Sequence, residues 1–321
     1  MQRTGVLFLV FWMTACSALK PSGVRLSIPA FQVSWSRNLD PSYQTGNLPI
    51  GFNSPAIHDG ILYIGSLAGA MTAYDVETGR VLWQEDDGGA LTGGPGIFQD
   101  HVIYGSIEGR VFSRHYLTGK LRYKIDLEES IETIPTFYNG RLFIHLRNHK
   151  IVALDASTGK LLWAYKRSVP FTTTIQGVSR PLVVDNRLYV GLADGYVAAF
   201  SIEDGVLIWE RKLASGSKFI DGDTDPTMAT ANLFVGSLAG PLTILDPRSG
   251  AVVRSLPVST TRAPYHLPEG MIIGTQTGEV VKTNQLGEIV LSKKLGESAL
   301  NTMVMWKGSL VVAGTSGRLY W

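Results

Sequence analysis

The chain has a single cysteine among 321 residues, Cys16, so no internal disulfide and no cysteine-based metal cluster can form. Charge is scarce as well, at 17% Asp, Glu, Lys and Arg, and nearly balanced at 29 basic against 27 acidic residues. Without a long basic run there is no footprint for a nucleic-acid backbone, which requires concentrated positive charge. No apolar stretch reaches the ~20 residues of a membrane-spanning helix. A Gly-x-Ser-x-Gly nucleophile elbow and a phosphate-binding glycine loop are also missing, which removes two common catalytic frameworks.

The N-terminus has its own pattern. Arg3 precedes the apolar run 6–13, and small residues then lead into Cys16. This reads as an export signal over residues 1–15. The segment Met13-Thr14-Ala15-Cys16 resembles the lipobox of bacterial lipoproteins, which implies that Cys16 becomes the acylated, palmitate-bearing first residue of the mature chain. Ser17 fits sorting to the outer membrane of a Gram-negative cell. Residues 16–30 are then a tether, and 31–321 a single domain.

What the chain has in quantity is glycine, 35 residues, spaced as turn punctuation between short alternating apolar segments. One unit runs from Pro55 to Trp83, and its Ile64-Gly65-Ser66 element returns, degraded, at Gly105, His145, Gly191, Gly236, Gly274 and Gly314. The successive intervals are 40, 40, 46, 45, 38 and 40 residues. Hairpin glycines follow at Gly79, Gly119, Gly159, Gly205, Gly250 and Gly287, where a tight reversal requires positive φ. Each unit closes on a large residue: Trp83, Tyr123, Trp163, Trp209, Val253 and Leu291. Four strands per ~40 residues, repeated radially, predict an all-β propeller of seven four-stranded antiparallel blades. The last unit holds three strands, and Phe31–Leu39, with Trp35 at the aromatic position, is expected to supply the fourth and close the ring.

The blade connectors, counted from the closing residue to the next first-strand proline, are 12, 12, 18, 17 and 11 residues long. The two long ones flank the fourth unit, which predicts one raised patch from about 167–180 and 212–225 on a regular frame. Phe171, Ile175, Phe219 and Ile220 are its candidate apolar anchors, with Asp221, Asp223, Gln176 and Arg180 as polar partner-binding residues. Asp221-Gly222-Asp223-Thr224-Asp225-Pro226 superficially resembles a calcium loop, but Pro226 and Asn232 stand where such a loop needs Gly and Glu. No metal is therefore expected there. His145 and His149 lack a third ligand at metal spacing, and the other histidines are scattered.

The element Ala153-Leu154-Asp155-Ala156-Ser157-Thr158-Gly159, running on to Trp163, is similar to the repeat of quinoprotein-like propellers. Their pyrroloquinoline-quinone dehydrogenases are longer, eight-bladed and carry a cysteine pair, so the resemblance implies a non-enzymatic branch without cofactor. Within that branch the chain resembles the BamB family of outer-membrane β-barrel assembly lipoproteins. The family's Asp-x-Asp-x-x-Pro segment appears as Asp221, Asp223 and Pro226. Its apolar-x-apolar-Arg-Gly-x-Ser-x-Pro segment appears as Thr173 to Pro181, with Thr173 for the first apolar residue and Gln176 for the arginine. Family members typically have eight blades against the seven counted here. The resemblance implies a scaffold on the periplasmic face of the outer membrane that docks the POTRA region of BamA, alongside other machinery subunits. The alternative is a periplasmic propeller serving another envelope complex or binding glycan.

Overall fold

The computed structural model describes residues 33–39, 53–168, 178–213, 224–229, 231–236, 240–260 and 262–321. The chain divides into two compact units, Met1–Ser34 and Trp35–Trp321. The export signal, Cys16 and the tether lie outside the described residues.

Among the described residues every regular element is a β-strand. The strands form seven antiparallel meanders, at 56–86, 96–126, 136–166, 182–212, 227–256, 265–294 and 300–320, here numbered blades one to seven. Blades one to six have four strands each and blade seven has three. The first strands of blades one and two, two and three, and three and four touch one another, so the chain in each blade runs outward from the centre of the ring. The fold is a seven-bladed β-propeller.

The core lies between blades. Second and third strands are buried on both faces, as in His101–Gly105, because each blade is sandwiched by its neighbours. One cluster joins Tyr63, Met71, Ala73 and Trp83 of blade one to Val102, Tyr104 and Phe112 of blade two, with Leu91 of the connector between them. Outer strands keep exposed residues such as Val81, Leu121 and Leu161. The recurring Asp-x-x-Thr/Ser-Gly turn is held by its own side chain. Asp75 Oδ1 accepts from the Thr78 hydroxyl at 2.6 Å and amide at 2.8 Å, and Asp155 and Asp246 repeat the arrangement. These bonds hold the three carboxyls below the usual range.

The closing aromatic of one blade reaches the hairpin of the next. A Cβ on Gly119 would lie 2.8 Å from the Trp83 ring, one on Gly159 2.8 Å from Tyr123, one on Gly205 2.5 Å from Trp163 and one on Gly250 2.5 Å from Trp209. Glycine is thus needed twice over, for its positive φ and for the ring lying on it. The polar end of each ring donates to a carbonyl of the same turn: Trp83 Nε1 to Tyr116, Tyr123 Oη to Ala156, Trp163 Nε1 to Ile202 and Trp209 Nε1 to Pro247, all at 2.8–3.0 Å. A buried indole or phenol needs such an acceptor.

Register corrects one expected closing residue. Trp83, Tyr123, Trp163 and Trp209 pair with the small residues Ala73, Ser113, Ala153 and Ala199. In blade five the same position is held by Arg254, paired with Ile244, and not by Val253. The bulge between Ile244 and Leu245 is common to the outer hairpins, and it sets the facing residue four positions after the hairpin glycine in each, so that Arg254 follows Gly250 as Trp83 follows Gly79. Here Ile244 Cδ1, 2.7 Å from the Cβ position of Gly287, fills the space an aromatic ring takes elsewhere.

The N-terminal segment supplies the expected staple by its side chain. Trp35 lies 2.5 Å from the Cβ position of Gly79, stacks on Tyr74 at 5.9 Å and donates Nε1 to the Val76 carbonyl at 2.8 Å. Residues 33–39 carry no strand pairing among the described residues. The third strand of blade seven, Leu319–Tyr320, has only two residues and so offers few backbone groups for a fourth.

Candidate protein-docking surface

The two long connectors are described at their feet, where each enters and leaves the frame. The first departs from blade three at Arg167. This guanidinium donates Nε to Asp194 at 2.7 Å and Nη1 to Glu210 at 2.5 Å, and lies 4.7 Å from the centre of the Tyr196 ring. All three partners belong to blade four, so the departure point is fixed against the next blade. Arginine suits the position because its planar fork serves two carboxylates and a ring face at once. The second connector departs at Leu213, whose amide donates to the Gly195 carbonyl at 2.8 Å.

The returning feet meet each other. Ser179 is fully buried, its hydroxyl donating to the Gly191 carbonyl at 3.0 Å and accepting from the Gly191 amide at 2.9 Å. His145 Nδ1 lies 3.1 Å from the Ser179 carbonyl. The next residue, Arg180, donates its backbone amide to Asp225 Oδ1 at 2.7 Å. Pro181 and Pro226 follow these two residues and cannot donate an amide, so each connector enters its blade from the same kind of extended corner.

Charge gathers at this junction. Burial pushes the Asp225 carboxyl above its usual range, opposed by the Arg180 amide, the Arg180 charge and the Arg262 charge. Desolvation likewise lowers Arg180, opposed by Asp225. Arg180 Nε also donates to Thr136 Oγ1 at 3.3 Å, and that hydroxyl donates to the Pro181 carbonyl at 2.7 Å. The Arg180 side chain therefore ties blade three to blade four. Thr224, beside Asp225, is fully buried, and Gly236 leaves the room its hydroxyl needs.

Of the residues singled out in the sequence, Arg180 is placed at this junction. Phe171, Ile175, Gln176, Phe219, Ile220, Asp221 and Asp223 lie outside the described residues. Three residues that sequence reasoning passed over stand at the junction: Asp225, Ser179 and His145. Asp225 was legible as the third carboxylate of its loop, directly before Pro226. His145 was legible as the one departure from glycine at its repeat position. Among the described residues no group of three or more His, Cys, Asp and Glu side chains could hold a metal.

The fold and this junction define a repeat-built β-propeller whose two irregular connectors are joined at one seam. A family model described as outer membrane protein assembly factor BamB matches residues 67–240 and again 171–266, and the chain belongs to that family. The outer membrane protein assembly factor BamB of Yersinia pestis is 27% identical over 287 residues, covering 83% of this chain and 72% of the relative. The crystal structure of BamB from Moraxella catarrhalis superposes with a TM-score of 0.73 at 23% identity, covering 84% of this chain and 86% of that one. A europium-containing methanol dehydrogenase shares the fold alone, with a TM-score of 0.64 at 14% identity over 83% of this chain and 71% of its own.

Proposed function

We propose that this chain is a non-enzymatic scaffold of the outer-membrane β-barrel assembly machinery, held by lipid at Cys16 to the periplasmic face of the outer membrane, and that it docks the POTRA region of BamA through its two long connectors. Membership of the BamB family supports the assembly role. The observation that carries the docking reading is the bond from the Arg180 amide to Asp225, which joins the returning feet of both connectors. Residues from both can then act as one surface, with Phe171, Ile175, Phe219 and Ile220 as apolar anchors and Asp221 and Asp223 orienting a basic partner face.

The test is capture from detergent-solubilised membranes, followed by binding to the purified POTRA region. BamA in the eluate, lost with Asp221→Ala plus Asp223→Ala in a protein of unchanged melting temperature, is the expected result. An eluate without BamA that holds a different envelope complex would overturn it.

A further inference from the structure

The turn between the second and third strands of blades one, two, four, five and six carries glycine at both ends. The first position is Gly65, Gly105, Gly191, Gly236, Gly274 and Gly314, and the second includes Gly69, Gly109, Gly195 and Gly278. Blade three alone has histidine at both, His145 and His149.

Each glycine has a physical reason. A Cβ on Gly65 would lie 2.6 Å from Leu91 Cβ, and one on Gly105 2.2 Å from Ile131 Cγ2, because the connector leaving the blade lays a side chain on this spot. The second position is left-handed, with φ of +97° at Gly69, +87° at Gly109, +79° at Gly195 and +84° at Gly278. His149 adopts the same conformation at φ +63°, a region that side chains with a Cβ seldom occupy.

The sequence differs on both sides of this contact in blade three. Leu91 and Ile131 stand four residues before Pro95 and Pro135, whereas the residue four before Pro181 is Gly177. The His145 and His149 rings lie side by side with centroids 6.4 Å apart, and both are buried. Since a carbonyl only accepts, the contact from His145 to Ser179 places the proton on Nδ1. Burial keeps the imidazole neutral, with its pKa lowered to about 4. In blades one and two the connector docks by its own amide, Leu91 to the Ser66 carbonyl at 3.0 Å and Ile131 to Ser106 at 3.1 Å. In blade three the imidazole of His145 also bonds to the connector, at the Ser179 carbonyl.

We propose that His145, seated against His149, is the positioning residue of the docking surface: it holds the first long connector at Ser179 and, through the Arg180 amide, sets the second at Asp225. The inference rests on the docking reading above, but its structural part can be tested apart from it.

Two variants of similar size divide the donor from the bulk. His145→Asn keeps an N–H close to the position of Nδ1, whereas His145→Gln carries its N–H farther out, near Nε2. Hydrogen exchange at the Arg180 and Gly191 amides and binding of the purified BamA POTRA region are measured in the full-length protein. His145→Gln is expected to raise exchange at Arg180 and weaken POTRA binding by about tenfold each, the effect of one lost buried hydrogen bond, and His145→Asn to restore both. Wild-type exchange and binding in His145→Gln would overturn the proposal. Equal losses in the Asn and Gln variants would also overturn it, since His145 would then only fill space. Exchange that follows the expected pattern in a wild-type chain that does not bind POTRA would sink the docking reading and with it the functional half of the proposal, leaving the anchoring of the connectors intact.

Discussion

Trp35 donates its indole N–H to the carbonyl of Val76, 41 residues away, and covers Gly79 with its ring. The staple that Trp83, Trp163 and Trp209 make between consecutive blades is thus made onto blade one by a residue from the start of the domain. Removing the ring leaves a bare glycine hairpin and an orphaned carbonyl. Trp35→Ala is expected to destabilise the propeller by about 3–5 kcal/mol, a large share of a typical folding free energy. Urea titration of the two proteins checks this; coincident midpoints would mean that Trp35 closes nothing.

Blade five offers the complementary experiment. Ile244 fills the space over Gly287 where blades one to four have an aromatic ring facing Ala or Ser. Arg254→Trp alone is expected to overpack against Ile244 and cost about 1–3 kcal/mol. Ile244→Ala alone opens a cavity at a cost of about 2–4 kcal/mol. The double variant is expected to recover most of both losses, so a double-mutant cycle should show coupling of at least about 1 kcal/mol between these paired positions.

The acidic loop divides by role. Asp225 accepts the Arg180 amide in a mostly desolvated setting, so Asp225→Ala is expected to lower stability by about 1–3 kcal/mol through the unpaired amide it leaves. Asp221→Ala plus Asp223→Ala is expected to leave the melting temperature unchanged and weaken POTRA capture by about 2 kcal/mol or more where the charges are paired in the complex. Thermal melts beside pull-downs separate the two; loss of fold in the double variant would place those carboxylates in the frame.

His145 makes stability depend on pH. Its folded pKa is lowered to about 4 by burial, with His149 adding to the shift, while the unfolded value is near the ordinary 6.5. Below 6.5 the unfolded chain takes up a proton that the folded one refuses. The contribution is therefore fully present above about pH 6.5 and is lost as pH falls toward 4, up to about 3 kcal/mol in total. His145→Asn should flatten that part of the stability curve. An unchanged slope between pH 4 and 6.5 would show that the imidazole is not held neutral.

Cys16 carries the expectation of a lipid anchor. Cys16→Ala is expected to yield an unprocessed or soluble species in place of one that partitions with the outer membrane. Normal processing and full retention in the membrane fraction would remove the lipoprotein reading.

The propeller itself was legible because its signals are local and repeated. Glycine at most reversals, alternation within the short strands and an aromatic in the fourth strands of blades one to four recur often enough to count blades, and the two long connectors stood out as deviations from a period. Single positions were less secure: where no aromatic marks the place, an apolar residue, Val253, stands beside the facing position, and only the strand pairing shows that Arg254 faces the next blade. What belonged wholly to the tertiary structure were contacts across blades. No pattern along the chain tells that Arg180 bonds to Asp225, that His145 reaches Ser179, or that Trp35 lies on Gly79, because residues 34 to 45 positions apart become neighbours only when a ring of blades brings equivalent corners together. Local sequence determined what each blade is; closure of the ring decided which residues of one blade complete the next.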